Sequence, residues 1–251
     1  MKPVAIVILA AGKGKRMKSD LPKVLHQVRG KPMIDHVIGT ARKIGPQRIV
    51  LVVGHKYRMI LDYLKDSDLE FVIQKKQLGT GHAVMQTEKA LSDFDGTIVI
   101  LCGDVPFLKA ETIRRLIDEH KRRKATATVL TAIVENASGY GRIKRDSSGL
   151  VERIVEELDA TKEEKKIKEI NSGIFCFETK ALFAELRKVS RQNRQAEYYL
   201  TDILKLMRDE GLPVAALVSS CPDEILGINS TEQLKKMEVL YRCSMQDSKP
   251  R

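Results

Sequence analysis

Short apolar runs rich in β-branched residues recur along the chain and alternate with segments of helical periodicity. The predicted strands cover residues 4–11, 48–53, 69–73, 97–102 and 127–134. The predicted helices between them cover residues 33–43, 57–64, 81–91 and 109–124. Strands that lack polar alternation and are separated by helices are typical of a parallel sheet covered on both faces. The pattern therefore predicts a doubly wound, mostly parallel α/β fold of the Rossmann-like kind.

The alternation of strands and helices becomes less regular after residue 135. Residues 135–173 are polar and are predicted to form a smaller subdomain or lid beside the sheet, with an exposed charged segment at 161–168. Strands are then predicted at 173–177 and 214–218, and helices at 179–189, 199–209 and 231–242. We predict one domain over residues 1–243 and a frayed polar tail over 244–251.

Composition excludes several classes of protein. The chain has 251 residues, of which 43% are hydrophobic and 31% charged, as in ordinary soluble globular proteins. No apolar run approaches the roughly 20 residues of a membrane span, and the first predicted strand is too short for the apolar core of a signal peptide and leads directly into a glycine loop. The four cysteines form no C-x-x-C pair, and the five histidines have no metal-ligand spacing and are expected at the surface or in loops. We expect a cytoplasmic protein with reduced thiols and no membrane partner.

A formal net charge of +11 could indicate a nucleic-acid partner. The densest basic run, residues 121–124, closes a predicted helix, where the helix dipole favours cations. Aromatic residues make up 5% of the chain and tryptophan is absent from it, so no stacking platform for single strands is visible. We expect no nucleic-acid partner, since the basic surplus fits a polyanionic small substrate equally well.

A glycine-rich loop, L-A-A-G-K-G-K-R-M, spans residues 9–17 after the first predicted strand. Small residues and glycines let backbone N–H groups approach a phosphate, although an ordinary tight turn is the alternative. The Walker A pattern is absent, and the dinucleotide fingerprint lacks its third glycine because Met17 stands there. Lysines and arginines at four nearby positions suit a triphosphate and a leaving pyrophosphate: Lys13, Lys15, Arg16 and Lys23. Surface solvation explains the first two lysines equally well.

Other candidate ligand-binding residues follow later strands. Gln74 and the backbone at Gly79 could read a nucleobase edge, and Thr80 could serve there or cap a helix. Asp104 follows a predicted buried strand, where a carboxylate can hold Mg²⁺ together with phosphate oxygens or can organise a turn. Asn229 precedes the last predicted helix, and the residues alone indicate an N-cap or a turn.

The long motif L-A-A-G-K-G-K-R-M-K-S-D-L-P-K-V-L-H at residues 9–26 resembles the opening motif of sugar-nucleotide pyrophosphorylases. It most closely resembles the uridylyltransferase domain of the bacterial bifunctional N-acetylglucosamine-1-phosphate uridylyltransferases. Further similar motifs follow in the family's order up to about residue 241: Q-x-x-Q-L-G-T-G at 74–81, G-D-V-P at 103–106, G-Y-G-R-I at 139–143, R-I-V-E-E at 153–157, E-I-N-S-G at 169–173, E-Y-Y-x-T-D at 197–202 and G-I-N at 227–229.

The resemblance implies a role for each matching residue, and it implies Mg²⁺ as the cofactor. It assigns the nucleotide to Leu9, Ala10, Ala11, Gly12, Gly14, Gln74, Gly79 and Thr80. It assigns catalysis to Arg16 and Lys23, and the metal to Asp104 and Asn229. It assigns the sugar to Gly103, Gly141, Glu156, Asn171, Glu197, Tyr198 and Thr201, and hence a sugar-side subdomain to about 135–228.

The implied reaction transfers a uridylyl group from UTP to N-acetylglucosamine-1-phosphate, which yields pyrophosphate and a cell-wall precursor, UDP-N-acetylglucosamine. A phosphate oxygen of the sugar phosphate would attack the α-phosphorus in line, without a general base. Alternatives are another sugar phosphate or triphosphate (glucose, mannose, galactosamine, dTTP) or a non-catalytic nucleotide sensor. Ala196 stands where the subfamily often has glycine, which leaves the sugar open.

The bifunctional enzymes continue into a left-handed β-helix of six-residue repeats, which carries acetyl transfer and trimer contacts. This chain shows no such period. Neither acetyl transfer nor a trimer is therefore expected of it. The oligomeric state stays open, as does the choice between a natural single-domain version and a shortened chain.

Overall fold

The computed structural model describes residues 2–65, 67–235 and 237. Its strands are β1 Val4–Ala10, β2 Gln27–Val28, β3 Lys31–Pro32, β4 Arg48–Val53, β5 Glu70–Ile73, β6 Thr97–Cys102, β7 Ala127–Ile133, β8 Arg142–Arg145, β9 Val151–Val155, β10 Glu169–Glu178 and β11 Val214–Val218. Its helices are α1 Met33–Arg42, α2 Tyr57–Tyr63, α3 Thr80–Met85, α4 Ala110–Arg122, α5 Thr179–Leu186 and α6 Asp202–Asp209. Residues 231–235 begin the last predicted helix; its further course and the tail at 244–251 lie outside the described residues.

The central sheet has the strand order β11-β7-β10-β6-β1-β4-β5. Its strands run parallel except β10, which pairs antiparallel with both β6 and β7. The prediction of a mostly parallel α/β sheet is confirmed. Because β1, β4 and β6 are parallel neighbours, the residues that follow them lie at one edge of the sheet.

Strand β1 lacks polar alternation because helices cover both of its faces. Ile6 and Ile8 pack in one core cluster with residues of α1 and α4. Ala5 and Val7 point the other way and pack with residues of α5 and α6. All four side chains have no solvent exposure, so successive residues fill opposite cores.

Residues 135–228, assigned to a sugar-side subdomain, contribute two strands to the central sheet, β10 and β11. The remaining strands of that range, β8 and β9, form an antiparallel hairpin that joins β10 through the pair Ile170 and Arg142. Sequence reasoning did not predict this hairpin. The division of the chain into a main domain and a subdomain stays a prediction.

The expectation for the histidines is wrong at His120, which is buried at the end of α4. Its ring contacts the hydroxyl of Thr128 at 2.8 Å and a carboxylate oxygen of Glu178 at 3.2 Å. Burial lowers the pKa of His120. This histidine therefore links α4 to strands β7 and β10 and has a structural role.

Candidate active site

A cavity of about 430 Å³ lies at the edge of the sheet where β1 and β6 end. Such a volume suits a small-molecule ligand. Sixteen residues line it: Leu9, Ala10, Ala11, Gly12, Lys13, Lys15, Lys23, Val24, Gln74, Gln77, Gly79, Thr80, Ala83, Cys102, Asp104 and Glu197. The fold thus brings all the predicted nucleotide-binding residues except Gly14 to one cavity.

Gly14 does not line the cavity but lies next to Lys23. Its φ of 58° is in the left-handed region that favours glycine. A Cβ at this position would lie 2.8 Å from Cβ of Lys23, so a larger residue would push the lysine away. The glycine loop therefore sets the position of the Lys23 side chain.

Lys23 joins the two residues predicted to hold a metal. Its ammonium group donates to the carboxylate of Asp104, and to Oδ1 of Asn229 at 2.7 Å. The side chains of Lys23 and Asp104 are only 12% and 23% exposed, so water screens the pair less than it would at the surface. The fold thus places one cation and two oxygen ligands together from three distant parts of the chain.

The donor set of Asp104 and Asn229 fits Mg²⁺. Mg²⁺ takes oxygen ligands and typically binds one or two carboxylates together with substrate phosphates. The described residues contain no cluster of three or more His, Cys, Asp or Glu that could hold a metal by themselves. One carboxylate and one amide oxygen, already directed at a shared ammonium group, therefore suit a metal that arrives with phosphate oxygens.

The side chain of Asn229 does not cap the last helix, so the N-cap alternative is wrong. Ser230 fills that role, because its hydroxyl accepts a hydrogen bond from the N–H of Gln233 at 3.1 Å. The amide nitrogen of Asn229 donates to the carbonyl of Gly227 at 3.2 Å, which directs Oδ1 towards Lys23. The backbone N–H of Ile228 donates to the carbonyl of Asp104 at 2.9 Å and holds the two segments together.

Gln74 is held by hydrogen bonds within the cavity wall. Its Nε2 donates to the carbonyl of Gly79 at 3.0 Å and lies 3.0 Å from Nδ1 of His82. Burial lowers the pKa of His82, and the neutral ring can accept this hydrogen bond. With Nε2 engaged in the cavity wall, the ligand-binding role of Gln74 stays a prediction. His82 is a supporting residue that sequence reasoning missed.

Thr80 joins the 78–81 segment to the 197–201 segment. Its hydroxyl accepts a hydrogen bond from the N–H of Leu200 at 3.1 Å and does not cap α3. The N–H of Tyr198 donates to the carbonyl of Leu78 at 2.8 Å, and the N–H of Gly81 donates to the carbonyl of Tyr198 at 2.8 Å. The predicted nucleotide and sugar motifs therefore share one wall.

Gly79 is where these two segments approach most closely. Its φ is 110°, and a Cβ there would lie 2.5 Å from the carbonyl oxygen of Tyr198. We expect Gly79→Ala to lower the free energy of unfolding by about 2–4 kcal/mol, because strain and a backbone collision add. Gly149→Ala is the matched control, since φ is 79° there with no atom within 4 Å, and should cost about 1 kcal/mol. Urea unfolding measures both; equal losses would contradict the collision.

Four predicted sugar-binding residues form a second cluster. The hydroxyl of Thr201 donates to Oε1 of Glu156 at 2.9 Å. A Cβ at Gly141 would lie 3.3 Å from Oε2 of the same carboxylate, and the carbonyl of Gly141 accepts from the N–H of Asn171 at 2.8 Å. Burial raises the pKa of Glu156, and nearby carboxylates, including Asp202, add to the rise. Hydrogen-bond donors, such as sugar hydroxyls, would compensate the desolvation cost of this buried carboxylate.

Asp202, next to Thr201 in the chain, gives a pH-dependent test of this cluster. Burial raises the pKa of its carboxyl from 3.8 to about 6, and the carboxylate of Asp159 adds to the rise. The neutral form is therefore favoured in the folded protein. The contribution of this pKa shift to the free energy of unfolding is complete below pH 3.8 and is lost as the pH rises through about 6.

We expect Asp202→Asn to be more stable than the parent protein by about 1–2 kcal/mol near pH 7, and the difference to disappear near pH 4. The favourable effect of a negative charge in the first turn of α6 is smaller, about 0.3–1 kcal/mol. Urea unfolding across this pH range measures the difference. A constant difference at every pH would contradict the raised pKa.

The remaining predicted residues lie around these clusters. Arg16 is exposed in the short turn Lys15–Met17 and does not line the cavity, so its catalytic role stays a prediction. Gly103 lies next to β1, where its N–H donates to the carbonyl of Leu9 at 2.9 Å. The ring of Tyr198 stacks on His82 with a centroid distance of 6.1 Å, which places it beside the nucleotide wall.

Two further residues lie near the candidate site. The thiol of Cys102 donates to the carbonyl of Gly173 at 3.4 Å, and burial raises its pKa to about 12, which favours the protonated thiol at neutral pH. Burial also raises the pKa of Tyr140, and the carboxylate of Asp104 adds to the rise. The position of Asp104 after a predicted strand indicated a role for that residue. No comparable pattern in the sequence indicated a role for Tyr140.

Comparison with known proteins identifies the family. The family model for nucleotidyl transferases matches residues 5–221. The chain belongs to the nucleotidyl transferase family. It is 49% identical over 236 residues to the protein named bifunctional protein GlmU from Bacillus cereus strain ATCC 14579, covering 94% of this chain and 51% of that protein. The corresponding protein of Bacillus anthracis strain CDC 684 gives the same values. The chain spans about half the length of the curated relatives it matches.

Two solved structures share the fold. A UDP-glucose pyrophosphorylase complexed with UDP-glucose superimposes with a TM-score of 0.76 at 18% identity, covering 97% of this chain and 100% of that one. A Bacillus anthracis protein described as a glucose-1-phosphate thymidylyltransferase, in complex with sucrose, gives a TM-score of 0.75 at 20% identity, covering 95% of both chains. At these identities the likeness concerns the fold alone.

Proposed function

We propose that this nucleotidyltransferase transfers a uridylyl group from UTP to N-acetylglucosamine-1-phosphate and releases pyrophosphate, with Mg²⁺ as the cofactor. The observation that carries the proposal is the contact of Lys23 with both Asp104 and Asn229 at the rim of a cavity lined by the glycine loop. A cation next to two oxygen ligands is what a reaction between two phosphorylated substrates requires.

The residues of the chain have separate tasks in this proposal. Gln74, Gly79 and Thr80 hold the base, and the backbone of the glycine loop cradles the triphosphate. Asp104 and Asn229 hold Mg²⁺, which neutralises phosphate charge when it is bound. Lys23 stabilises the charge that develops on the α-phosphate and the leaving pyrophosphate. No general base is needed, because the attacking phosphate oxygen is already ionised at neutral pH.

The choice of N-acetylglucosamine rests on the predicted sugar-binding residues and on the resemblance to the family. Glu156, Asn171, Glu197 and Thr201 supply the acceptors and donors that a sugar and its amide need. The E-Y-Y-x-T-D motif at residues 197–202 resembles that of the N-acetylglucosamine enzymes and favours this sugar, and the 49% identity to proteins named bifunctional protein GlmU supports the reaction class. Since the chain spans about half of those proteins, their full activity is not carried over.

The proposal includes a cytoplasmic location and no nucleic-acid partner. Among the described helices, none has both the length and the apolar character that spanning a membrane requires. The basic surplus is accounted for by anionic substrates, so binding to DNA or RNA that falls steeply with salt would contradict this part of the proposal.

Product identification by mass spectrometry tests the substrates. The protein is incubated with Mg²⁺ and every pair drawn from UTP or dTTP and the 1-phosphates of N-acetylglucosamine, glucose, mannose and galactosamine. We expect UDP-N-acetylglucosamine to form with the largest kcat/KM. A faster reaction with another pair would transfer the proposal to those substrates, and no product from any pair would favour a non-catalytic nucleotide sensor.

A further inference from the structure

The loop at residues 139–141 lies between the predicted sugar-binding residues and the segment that precedes Asn229. The carbonyl of Gly141 accepts from the N–H of Asn171 at 2.8 Å, and a Cβ at Gly141 would lie 3.3 Å from Oε2 of Glu156. The partly buried phenol of Tyr140 hydrogen-bonds to the backbone of Gly227, two residues before Asn229. One short loop therefore lies beside a predicted sugar-binding carboxylate and beside the segment that carries Asn229 of the candidate metal site.

An ion pair between Arg142 and Glu157 binds the backbone of this loop at two positions. Nη2 of Arg142 lies 2.7 Å from Oε2 of Glu157, and the Arg142 side chain is only 3% exposed. Nη1 of Arg142 donates to the carbonyl of Tyr140. Oε2 of Glu157 accepts from the N–H of Gly139 at 3.2 Å. The pair therefore binds the backbone at the start and in the middle of the loop.

These contacts matter because the backbone of the loop has little conformational preference of its own. Gly139 has a φ of 83°, and glycine at two of three positions imposes little conformational preference. Burying a guanidinium costs free energy unless the group is paired, so Arg142 depends on a well-formed contact with Glu157. The other cation near Glu157, Lys165, lies 3.7 Å from Oε1 and is 45% exposed, so it cannot replace the buried arginine.

We propose that Arg142 and Glu157 are positioning residues that hold the 139–141 loop against the sugar-1-phosphate half of the site. This inference rests on the proposed function. The pair acts through the loop and does not touch the nucleotide cavity, whose lining contains neither residue. Its loss should weaken the use of the sugar phosphate and leave the use of the triphosphate largely unchanged.

The test compares Glu157→Gln with a matched control on the same hairpin. The control is Glu152→Gln, which removes a half-exposed ion pair of 3.0 Å with Lys144 away from the loop. We expect Glu157→Gln to raise KM for the sugar phosphate about tenfold, with KM for the triphosphate within about twofold. The control should change neither value. Glu157→Asp, which keeps the charge, should recover part of the loss.

Hydrogen–deuterium exchange of the peptide covering residues 137–143 tests positioning without turnover. Glu157→Gln should speed its exchange about tenfold or more, and Glu152→Gln should not. Should Glu157→Gln fail to fold, Arg142→Lys provides the same measurements, because it keeps the charge and loses the forked contact.

Unchanged exchange would overturn the inference, and so would equal increases in both KM values, which a general structural defect would produce. Absence of turnover by the parent protein with every substrate pair would overturn the proposed function instead. In that case the exchange measurement still decides whether the ion pair positions the loop.

Discussion

Lys23→Ala should lower kcat/KM for nucleotidyl transfer by about 10³-fold while the protein stays folded. The lysine is the cation that meets both Asp104 and Asn229. Its removal takes away the charge that stabilises the α-phosphate in the transition state. The loss in unfolding free energy should be smaller, at most about 2 kcal/mol, because the Asp104 carboxylate keeps access to water. Steady-state kinetics and urea unfolding of the same preparation measure both effects.

Lys13→Ala is the control for this substitution. Lys13 lines the same cavity, but it sits on the exposed part of the glycine loop, where its charge is solvated. Its loss should lower kcat/KM by less than about tenfold. Similar losses for the two lysines would mean that only total positive charge matters, and full activity of Lys23→Ala would remove Lys23 from the mechanism.

Asp104→Asn should abolish metal-dependent turnover, with a fall in kcat of about 10³-fold or more. The substitution keeps the size of the side chain and removes the charge that a divalent cation needs. Binding of Mn²⁺ in the presence of the triphosphate, measured by electron paramagnetic resonance, should weaken about tenfold or more. This readout does not depend on activity.

Asp95→Asn is the matched control, because Asp95 pairs with Lys180 at the surface and is 69% exposed. It should leave turnover and Mn²⁺ binding unchanged. If Asp104→Asn bound Mn²⁺ as tightly as the parent protein, the metal assignment would be wrong even if activity were lost.

The edge of the sheet that carries the site could be predicted from the sequence. Apolar runs without polar alternation located β1, β4 and β6, and parallel order placed the glycine loop and Asp104 at the same edge. The pairing with Asn229 could not be predicted from spacing, since 206 positions separate it from Lys23. Only the resemblance to the family suggested it, and the structure brings the residues together.

Two predicted helices are shorter than expected, and a local and a tertiary hydrogen bond compete with helix formation at their ends. The helix predicted to reach residue 91 ends at Met85, and the hydroxyl of Thr87 donates to the carbonyl of Val84 at 2.7 Å. The helix predicted from residue 199 begins at Asp202, because Leu200 gives its N–H to Thr80 instead. The hydrogen bond from Leu200 to Thr80 joins two segments of the site. Local helix propensity gives no indication of it.

Strand β10 also exceeds its prediction. The apolar run predicted a strand only over residues 173–177, but the strand spans Glu169–Glu178. Its first half is polar and contains Asn171, and the register shifts between Asn171 and Phe175. The φ of 78° at Gly173 fits such an irregularity. A bulge that presents a polar residue to the site breaks the pattern by which a strand is recognised.

Pyrophosphate release from UTP and N-acetylglucosamine-1-phosphate tests the central claim most directly. The assay is run with both substrates, with each one alone, and with Mg²⁺ removed by a chelator. The account predicts release that requires both substrates and Mg²⁺ and that yields one sugar nucleotide per pyrophosphate. Release from UTP alone would indicate hydrolysis, and undiminished release after chelation would contradict the role assigned to Asp104 and Asn229.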